Sequence, residues 1–243
     1  MYTEFIKNEF KKWLRDPLMK FMLFYPIVFG VIGRYVLPAI EDYNDYFIID
    51  AYKDLIVVIL ALLIPLIYGA LTGFSILDDR DDDSLVSIKV TPLSIHQFLS
   101  FRFGMVTVLS FLSTSFVMWF SDIGVNDMGI GNILLISLLA SLSAMMTGML
   151  INAFASNKIE GFAVMKGTGV ILVFPIVSLF FKDSKEMIFS FAPGYWPAKA
   201  ISSLIKGDDA LYLNYTVYMF VGFVYIIFLN WIVYKLFLRR IKQ

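Results

Sequence analysis

Six long apolar stretches, separated by short polar segments, organise this chain. They run over Met19–Leu37, Leu55–Leu77, Phe98–Phe120, Asn132–Ala155, Gly167–Phe181 and Tyr215–Phe237, and the fifth, the shortest, is expected to start earlier, near Phe162. About 20 apolar residues cross a bilayer core as a helix, and none of these stretches alternates with the period of two that a barrel strand needs. Because backbone groups in hydrocarbon must be satisfied within their own segment, the pattern predicts six transmembrane helices and an all-α membrane protein.

Composition supports this prediction and removes several classes of function. Of the 243 residues, 59% are hydrophobic and 16% are charged, whereas a soluble domain is about half apolar and a quarter charged. The formal net charge is zero, so no basic field indicates a nucleic-acid partner. The chain has no cysteine, which excludes disulfides and thiolate metal sites. We expect residues 1–243 to form one transmembrane domain in contact with membrane lipid.

The distribution of positive charge predicts the orientation. With the N-terminus inside, fourteen of the twenty lysine and arginine residues fall on the inner side. Because short cytoplasmic flanks carry an excess of these residues, both termini are predicted to be cytoplasmic. Lysine outnumbers arginine 14 to 6, a usage typical of AT-rich bacterial genomes. We therefore expect a multi-pass protein of a bacterial plasma membrane.

The N-terminal segment Thr3–Arg15 has an amphipathic helical pattern. Phe5, Ile6, Phe10, Trp13 and Leu14 share a broad apolar face, and the lysines lie largely elsewhere. This pattern favours an elbow helix, residues 1–16, lying in the inner membrane interface. Asp16-Pro17 ends it, since proline disfavours helix before it and suits the first turn of the next helix. The alternative is a simple cytoplasmic extension of the first span.

The loop between the second and third spans, residues 78–97, carries the most unusual charge pattern. It reads Asp78-Asp79-Arg80-Asp81-Asp82-Asp83, followed by a short amphipathic stretch whose apolar face is Leu85, Ile88, Pro92 and Leu93. A charge run is usually a solvated face, and clustered carboxylates can also bind hard cations, although this spacing lacks the features of a calcium loop. The third interpretation is a docking element, in which acidic residues steer a basic partner surface and a short helix makes contact.

The layout resembles the permease subunit of a type-two ABC exporter. That family has an elbow helix, six spans and a first cytoplasmic loop with a coupling helix that ends in Thr-Pro-Leu-Ser, as at Thr91-Pro92-Leu93-Ser94. The resemblance assigns ATPase docking to Asp81, Asp82, Asp83, Ser84, Leu85, Ser87, Ile88, Lys89, Thr91 and Pro92. The family's outer Pro and aromatic pair matches Pro193, Tyr195 and Trp196 in the external loop 182–214. Because Tyr and Trp favour the bilayer interface, this stretch is predicted to be a short outer-leaflet helix or a re-entrant turn, with these rings at the interface. The Asp run departs from the family's usual approach to the coupling helix.

The resemblance also implies partners and a transport path. No P-loop pattern, Gly-x-x-x-x-Gly-Lys-Ser/Thr, occurs in the chain, so it is not itself a P-loop enzyme. No cofactor or metal is expected on this chain, and ATP and Mg²⁺ would bind a separate cytoplasmic ATPase. Two permeases, identical or sister chains, would pair with two ATPases. The second and fifth spans line the family's central path, so Pro65 and Pro175 would kink gate helices, or they mark static bends. Apart from the resemblance, Phe111 and Phe174 are candidates for lining an apolar passage, or they face lipid and neighbouring helices.

Small residues in the second and fourth spans favour close helix packing. Gly69 and Gly73 form a GxxxG pattern, and Ala140, Ala144 and Gly148 form a four-spaced stripe. Such stripes join helices either within a subunit or between subunits.

The few charges in the spans favour an apolar or amphipathic substrate. Similarity in size to exporters of amphipathic toxic peptides, of the phenol-soluble modulin kind, implies a peptide. The alternatives are a drug or lipid exporter and, from another class, a non-transporting membrane assembly or sensor subunit.

Overall fold

The computed structural model describes residues 7, 11, 15, 17–43, 48–81, 95–208 and 211–241, and the chain there is almost entirely helical. The helices are α1 (Pro17–Val31), α2 (Leu37–Tyr43), α3 (Ile49–Asp81), α4 (Ile95–Phe120), α5 (Val125–Met128), α6 (Ile130–Phe154), α7 (Lys158–Ile171), α8 (Val173–Ser178), α9 (Tyr195–Lys206) and α10 (Tyr215–Ile241). A π-helical segment, Ile32–Val36, joins α1 to α2, and a 3-10 segment, Ser184–Phe189, precedes α9.

Six helical stretches in the described chain are long and apolar enough to cross a membrane. They are Phe24–Tyr43, Ile49–Asp81, His96–Phe120, Ile130–Phe154, Lys158–Ser178 and Tyr215–Arg239. The predicted six-span, all-α fold is therefore confirmed. Successive spans alternate in direction, so one end of the bundle, here the near end, holds Pro17, Asp81 and Ile95. The opposite, far end holds Tyr43, Phe120 and α9.

The second and fourth spans, α3 and α6, form the centre of the bundle. A Cβ added at Gly69 would lie 2.3 Å from the backbone oxygen of Ala144, and one at Gly148 would lie 3.0 Å from the Gly69 oxygen. The buried Asn152 adds to this contact, because its side-chain amide donates to the Gly73 oxygen at 3.0 Å. The GxxxG pattern and the alanine–glycine stripe thus pack against each other within one subunit.

The fifth span begins at Lys158, nine residues before the apolar run at Gly167 and four before the predicted start near Phe162. The cause is a capping signal: the Asn157 side chain accepts from the Glu160 amide at 3.0 Å, and Glu160 accepts from the Ser156 amide at 2.7 Å. Such reciprocal capping starts a helix upstream of its apolar run. The span is also broken at Leu172, between α7 and α8. Pro175 explains the break, because it cannot donate to the carbonyl four residues earlier.

Other predicted boundaries shift by a few residues. The first span starts at Pro17, as the proline predicted, but its helical path continues through the π segment to Tyr43 rather than ending at Leu37. The second span runs through Pro65 without interruption from Ile49 to Asp81, beyond the predicted Leu55–Leu77. The predicted elbow helix, residues 1–16, lies outside the described residues apart from the exposed Lys7, Lys11 and Arg15.

Candidate functional site

Three consecutive residues at the end of α3 join it to three other helices at the near end. Asp78 forms a salt bridge with Lys158 at the start of α7, with 2.7 Å between oxygen and nitrogen. Asp79 pairs with Arg102 of α4. The Arg80 guanidinium donates to the carbonyls of Asn152 and Ala155 at the end of α6, each at 3.4 Å. This set, Asp78–Arg80 with its partners, is called the near-end anchor.

The pair of Asp79 and Arg102 is the buried part of the near-end anchor. Arg102 is 1% exposed; it donates to Asp79, lies 3.4 Å from the Ser75 hydroxyl and stacks over the Phe98 ring at 5.1 Å. From the sequence, Asp79 falls in the predicted loop 78–97, and Arg102 is one of the fourteen inner-side charges. The pairing could have been anticipated from the sequence, because Arg102 lies inside an apolar run. A charge within a span requires a partner inside the bundle.

The near-end anchor corrects the interpretation of the Asp run. The first two carboxylates lie in a helix and pair with cations of the chain itself, so they are not part of a loop. Asp81, one of the predicted docking residues, is exposed at the last position of α3. The remaining predicted docking residues lie outside the described part of the chain: Asp82, Asp83, Ser84, Leu85, Ser87, Ile88, Lys89, Thr91 and Pro92.

At the far end, α9 is the predicted helix after Pro193, but its aromatic residues are not at the surface. Tyr195 is fully buried and Trp196 is 5% exposed. The Tyr195 hydroxyl donates to Glu186 at 3.0 Å, which draws the ring into the protein. Trp196 lies against Gly222 of α10, where an added Cβ would be 2.8 Å from the tryptophan Cβ. α9 therefore packs inside the bundle end rather than presenting these rings to lipid.

A buried charge cluster holds α9 in place. Glu186 and Lys199 are both fully buried, with 2.7 Å between Oε2 and Nζ, and Lys199 also donates to the Phe181 carbonyl at 2.8 Å. Tyr218 of α10 donates to the other oxygen of Glu186. Burial lowers the pKa of Lys199, against the opposing effect of its hydrogen bond to Glu186. Burial, and then the charge of Glu186, raise the pKa of Tyr195.

A second set of polar contacts ties α9 to the start of α3. Asp54 is buried and accepts from the Ser202 hydroxyl at 2.9 Å and from Lys206. The two sets of contacts together connect α9 to α3, to α10 and to the segment after the fifth span. These pairings do not form a sequence motif. Glu186 and Lys199 are 13 residues apart, and Lys206 and Asp54 are 152 residues apart.

The predicted path residues are only partly brought together. Pro175 lies against Gly194, where an added Cβ would be 2.9 Å from the proline ring and 3.0 Å from Leu62. A cavity of about 40 Å³ borders Pro193 and Gly194, and this is room for about one water. The other predicted path residues lie apart from it: Pro65 is buried in α3, Phe111 is part-buried in α4, and Phe174 contacts Phe191 at 4.9 Å between ring centroids.

A larger polar cleft, the far-end cleft, lies between the first span, the start of α3 and the turn after α4. Its volume is about 530 Å³. Its lining consists of Arg34, Tyr35, Pro38, Ile49, Asp50, Lys53, Ser121, Asp122, Ile123, Gly124, Asn126 and Asp127. Among the residues that the structure describes, no group of three or more His, Cys, Asp or Glu side chains could hold a metal ion. The metal interpretation covers the whole Asp run, of which Asp82 and Asp83 lie outside those residues.

Comparison with known proteins gives a consistent result. Residues 9–234 match the family model described as fluoroquinolones export permease protein Rv2686c-like. Two relatives from Mycobacterium tuberculosis are named fluoroquinolones export permease protein, Rv2686c in strain H37Rv and MT2760 in strain CDC 1551. Each is 27% identical over 239 residues, which cover 96% of this chain and 92% of the relative. No solved structure gives a significant match.

Proposed function

Because the chain belongs to the Rv2686c-like family of fluoroquinolones export permeases, we propose that it exports small amphipathic drugs, driven by a separate ATPase. The family membership makes the chain a membrane-spanning exporter subunit and not an enzyme. The drug substrate, the ATPase and its bound ATP and Mg²⁺ are the proposed parts. The relatives' names favour a drug over the amphipathic peptide that the size of the chain suggested.

The near-end anchor is the observation that carries the ATPase part of the proposal. An ATPase that pushes on the segment after Asp81 would act on the end of α3, which is fixed to α4, α6 and α7 through Asp79, Arg80 and Asp78. Charge pairs and hydrogen bonds hold these helix ends at fixed separations, so a displacement there moves several spans together. A solvated run of carboxylates would not transmit force in this way.

In the proposed orientation the near end faces the cytoplasm, and two such subunits pair with two ATPases. Single-cysteine labelling tests the orientation cleanly, because the chain has no cysteine of its own. We expect an impermeant maleimide to label Asp42→Cys in whole cells and Lys11→Cys only after lysis. The reverse pattern would contradict the orientation.

Transport into inverted membrane vesicles tests the substrate. Vesicles containing the permease and its ATPase are expected to accumulate a fluorescent fluoroquinolone when ATP is added. The matched control carries the ATPase with its P-loop lysine replaced. Accumulation of an amphipathic helical peptide without accumulation of the drug would favour the peptide alternative. A lack of ATP-dependent accumulation of any substrate would favour a non-transporting assembly or sensor subunit.

A further inference from the structure

The far-end cleft has the dimensions of a ligand site and no role in the proposed coupling. Its volume of about 530 Å³ falls in the range of about 300–1,000 Å³ that is usual for drug-sized ligands. It lies at the opposite end of the bundle from the near-end anchor, so that the two regions are separated by the length of the spans. In the proposed orientation the cleft faces the outside of the cell.

A π-helical segment of the first span places a cation, Arg34, on one side of the cleft. Arg34 lies in the π-helical segment Ile32–Val36, inside the first span. π-helical turns are frequent at functional sites, and an arginine within a span is costly unless it has a functional role or a partner. The guanidinium of Arg34 donates to the Phe120 carbonyl at 3.1 Å and stacks over the Phe120 ring at 5.3 Å. These contacts fix its plane while the side chain stays 40% exposed.

Close backbone packing holds this helix against the turn after α4. A Cβ added at Gly33 would lie 2.6 Å from the Ser121 Cβ, and one at Gly30 would lie 2.9 Å from the Phe120 ring. Both glycines are therefore required for the observed approach of the first span to the end of α4. The position of Arg34 relative to this turn is set by packing, and does not depend on its charged contacts alone.

The acidic side of the cleft contains an unusual backbone. Asp122 has a φ of 62°, and it is the one residue other than glycine with a positive φ in the described chain. Its carboxylate is 62% exposed and lies 3.8 Å from the Arg34 nitrogen, too far for a hydrogen bond. Strained residues persist where the surroundings over-determine them, and they cluster at ligand sites. The ion pair is thus open to a ligand that offers better contacts to each partner.

The remaining charges leave the cleft with an excess of acid. Lys53 is shared by two carboxylates, Asp50 at 2.9 Å and Asp127 at 3.1 Å. Together with Arg34 and Asp122, the lining contains three carboxylates and two cations. One negative charge is therefore left without a matching cation in the lining, and the exposed Tyr35 ring borders the same space.

We infer that the far-end cleft binds a drug-sized zwitterion with an aromatic ring. Its carboxylate would accept from Arg34, its protonated amine would contact Asp122, and its ring would lie on Tyr35. A guanidinium recognises a carboxylate with two parallel hydrogen bonds, which improves on the long contact with Asp122. Asp122, whose long contact with Arg34 is then given up, supplies the second contact to the amine. This inference rests on the proposed function and makes the cleft the site from which the substrate is released.

A zwitterionic phospholipid headgroup presents the same pair of charges, so the test must separate the two sources. The purified permease is placed in nanodiscs of phosphatidylglycerol alone, and binding of a fluorescent zwitterionic fluoroquinolone is measured by anisotropy. Phosphatidylethanolamine nanodiscs form the second arm. Equal binding in both lipids is expected. If the drug binds in phosphatidylglycerol nanodiscs but not in phosphatidylethanolamine nanodiscs, the cleft belongs to the lipid headgroup and the inference is overturned.

Variants of the two charged partners test the assignment of roles. Arg34→Gln and Asp122→Asn are each expected to weaken binding about tenfold or more, because each removes one charge-assisted contact. Asparagine tolerates the positive φ at position 122, so the turn should persist. Lys185→Gln and Asp183→Asn are the matched controls, since this pair is also exposed at the far end, with 3.6 Å between its charged atoms. The controls should leave binding unchanged.

Modified ligands make the test independent of folding. A drug whose carboxylate is esterified should bind wild type weakly and be insensitive to Arg34→Gln, and an N-acylated drug should be insensitive to Asp122→Asn. Unchanged affinity of the parent drug in both cleft variants would overturn the inference. If wild-type vesicles transport the drug and these variants transport it equally, the cleft assignment fails and the exporter stands. If wild type binds but does not transport, the exporter fails and the binding site stands.

Discussion

Arg102 of α4 donates a hydrogen bond to Asp79 of α3, and both residues are buried between their helices at the near end. This contact closes the junction between the two spans that flank the predicted docking segment. Because the partners are 23 residues apart and on opposite sides of that segment, the pair fixes the separation at which the segment leaves and re-enters the bundle.

Replacing Arg102 should destabilise the protein strongly. Arg102→Met removes the guanidinium that pairs with the buried Asp79, and breaking such a pair costs about 3–5 kcal/mol. The double variant Arg102→Met with Asp79→Asn should recover most of that loss, since both charges of the buried pair are then removed. Thermal unfolding in detergent would measure both. A single variant as stable as wild type would show that the pair contributes little to the fold.

The contact of α3 with α6 predicts an asymmetry between two glycine substitutions. Gly69→Ala places a Cβ 2.3 Å from the Ala144 oxygen and should cost about 1–3 kcal/mol, because the helices must move apart. Gly104→Ala is the control, as nothing lies within 4 Å of its added Cβ. That change should alter stability by less than about 1 kcal/mol. Denaturation of both variants in the same detergent measures their stability. Equal losses of stability would contradict the close packing of α3 against α6.

Alkaline unfolding should depend on Tyr195. Burial and Glu186 raise the pKa of this hydroxyl above its ordinary value of 10.0. A raised pKa means that the contribution to stability is complete below pH 10 and decreases above it, as the unfolded chain releases its proton first. Tyr195→Phe should therefore reduce the loss of stability above pH 10 by up to about 1.4 kcal/mol per pH unit. Tyr212→Phe, at an exposed position, is the comparison, and identical pH profiles for all three proteins would refute the prediction.

The docking prediction concerns Asp81, Asp82 and Asp83. Changing all three to Ala should slow association with the ATPase and reduce its dependence on salt, because exposed charges steer encounter more than they hold the complex. Insertion should be unaffected. Asp42→Ala, exposed at the far end, is the control. Association kinetics at low and high salt give the measurement, and an unchanged rate at low salt would mean that these carboxylates are only solvated.

Much of the fold was predictable because it depends on local sequence. Segments such as Phe98–Phe120 and Tyr215–Phe237 are apolar for the length of a bilayer crossing, and their observed ends differ by a few residues. The fifth span was the exception. Its start depends on capping by Asn157 and Glu160, and this signal precedes the apolar run.

The candidate sites were less predictable. Pro193 correctly marked a helix, but the burial of Tyr195 depends on Glu186, nine residues away in a separate element. The role of Arg34 depends on a π-helical segment and on Gly33, which packs against Ser121 on another span. Periodicity along one helix carries no information about which neighbour faces it.

The sequence by itself determined six spans, an all-α membrane protein and the absence of a P-loop, because each follows from the composition of a continuous segment. Only the tertiary structure decided which charges meet. Asp79 pairs with Arg102, Glu186 pairs with Lys199 and Arg34 lies beside Asp122, because segments that are separate in sequence pack side by side. An ion in a span must be compensated, but the identity of its partner depends on helix packing that no local pattern specifies.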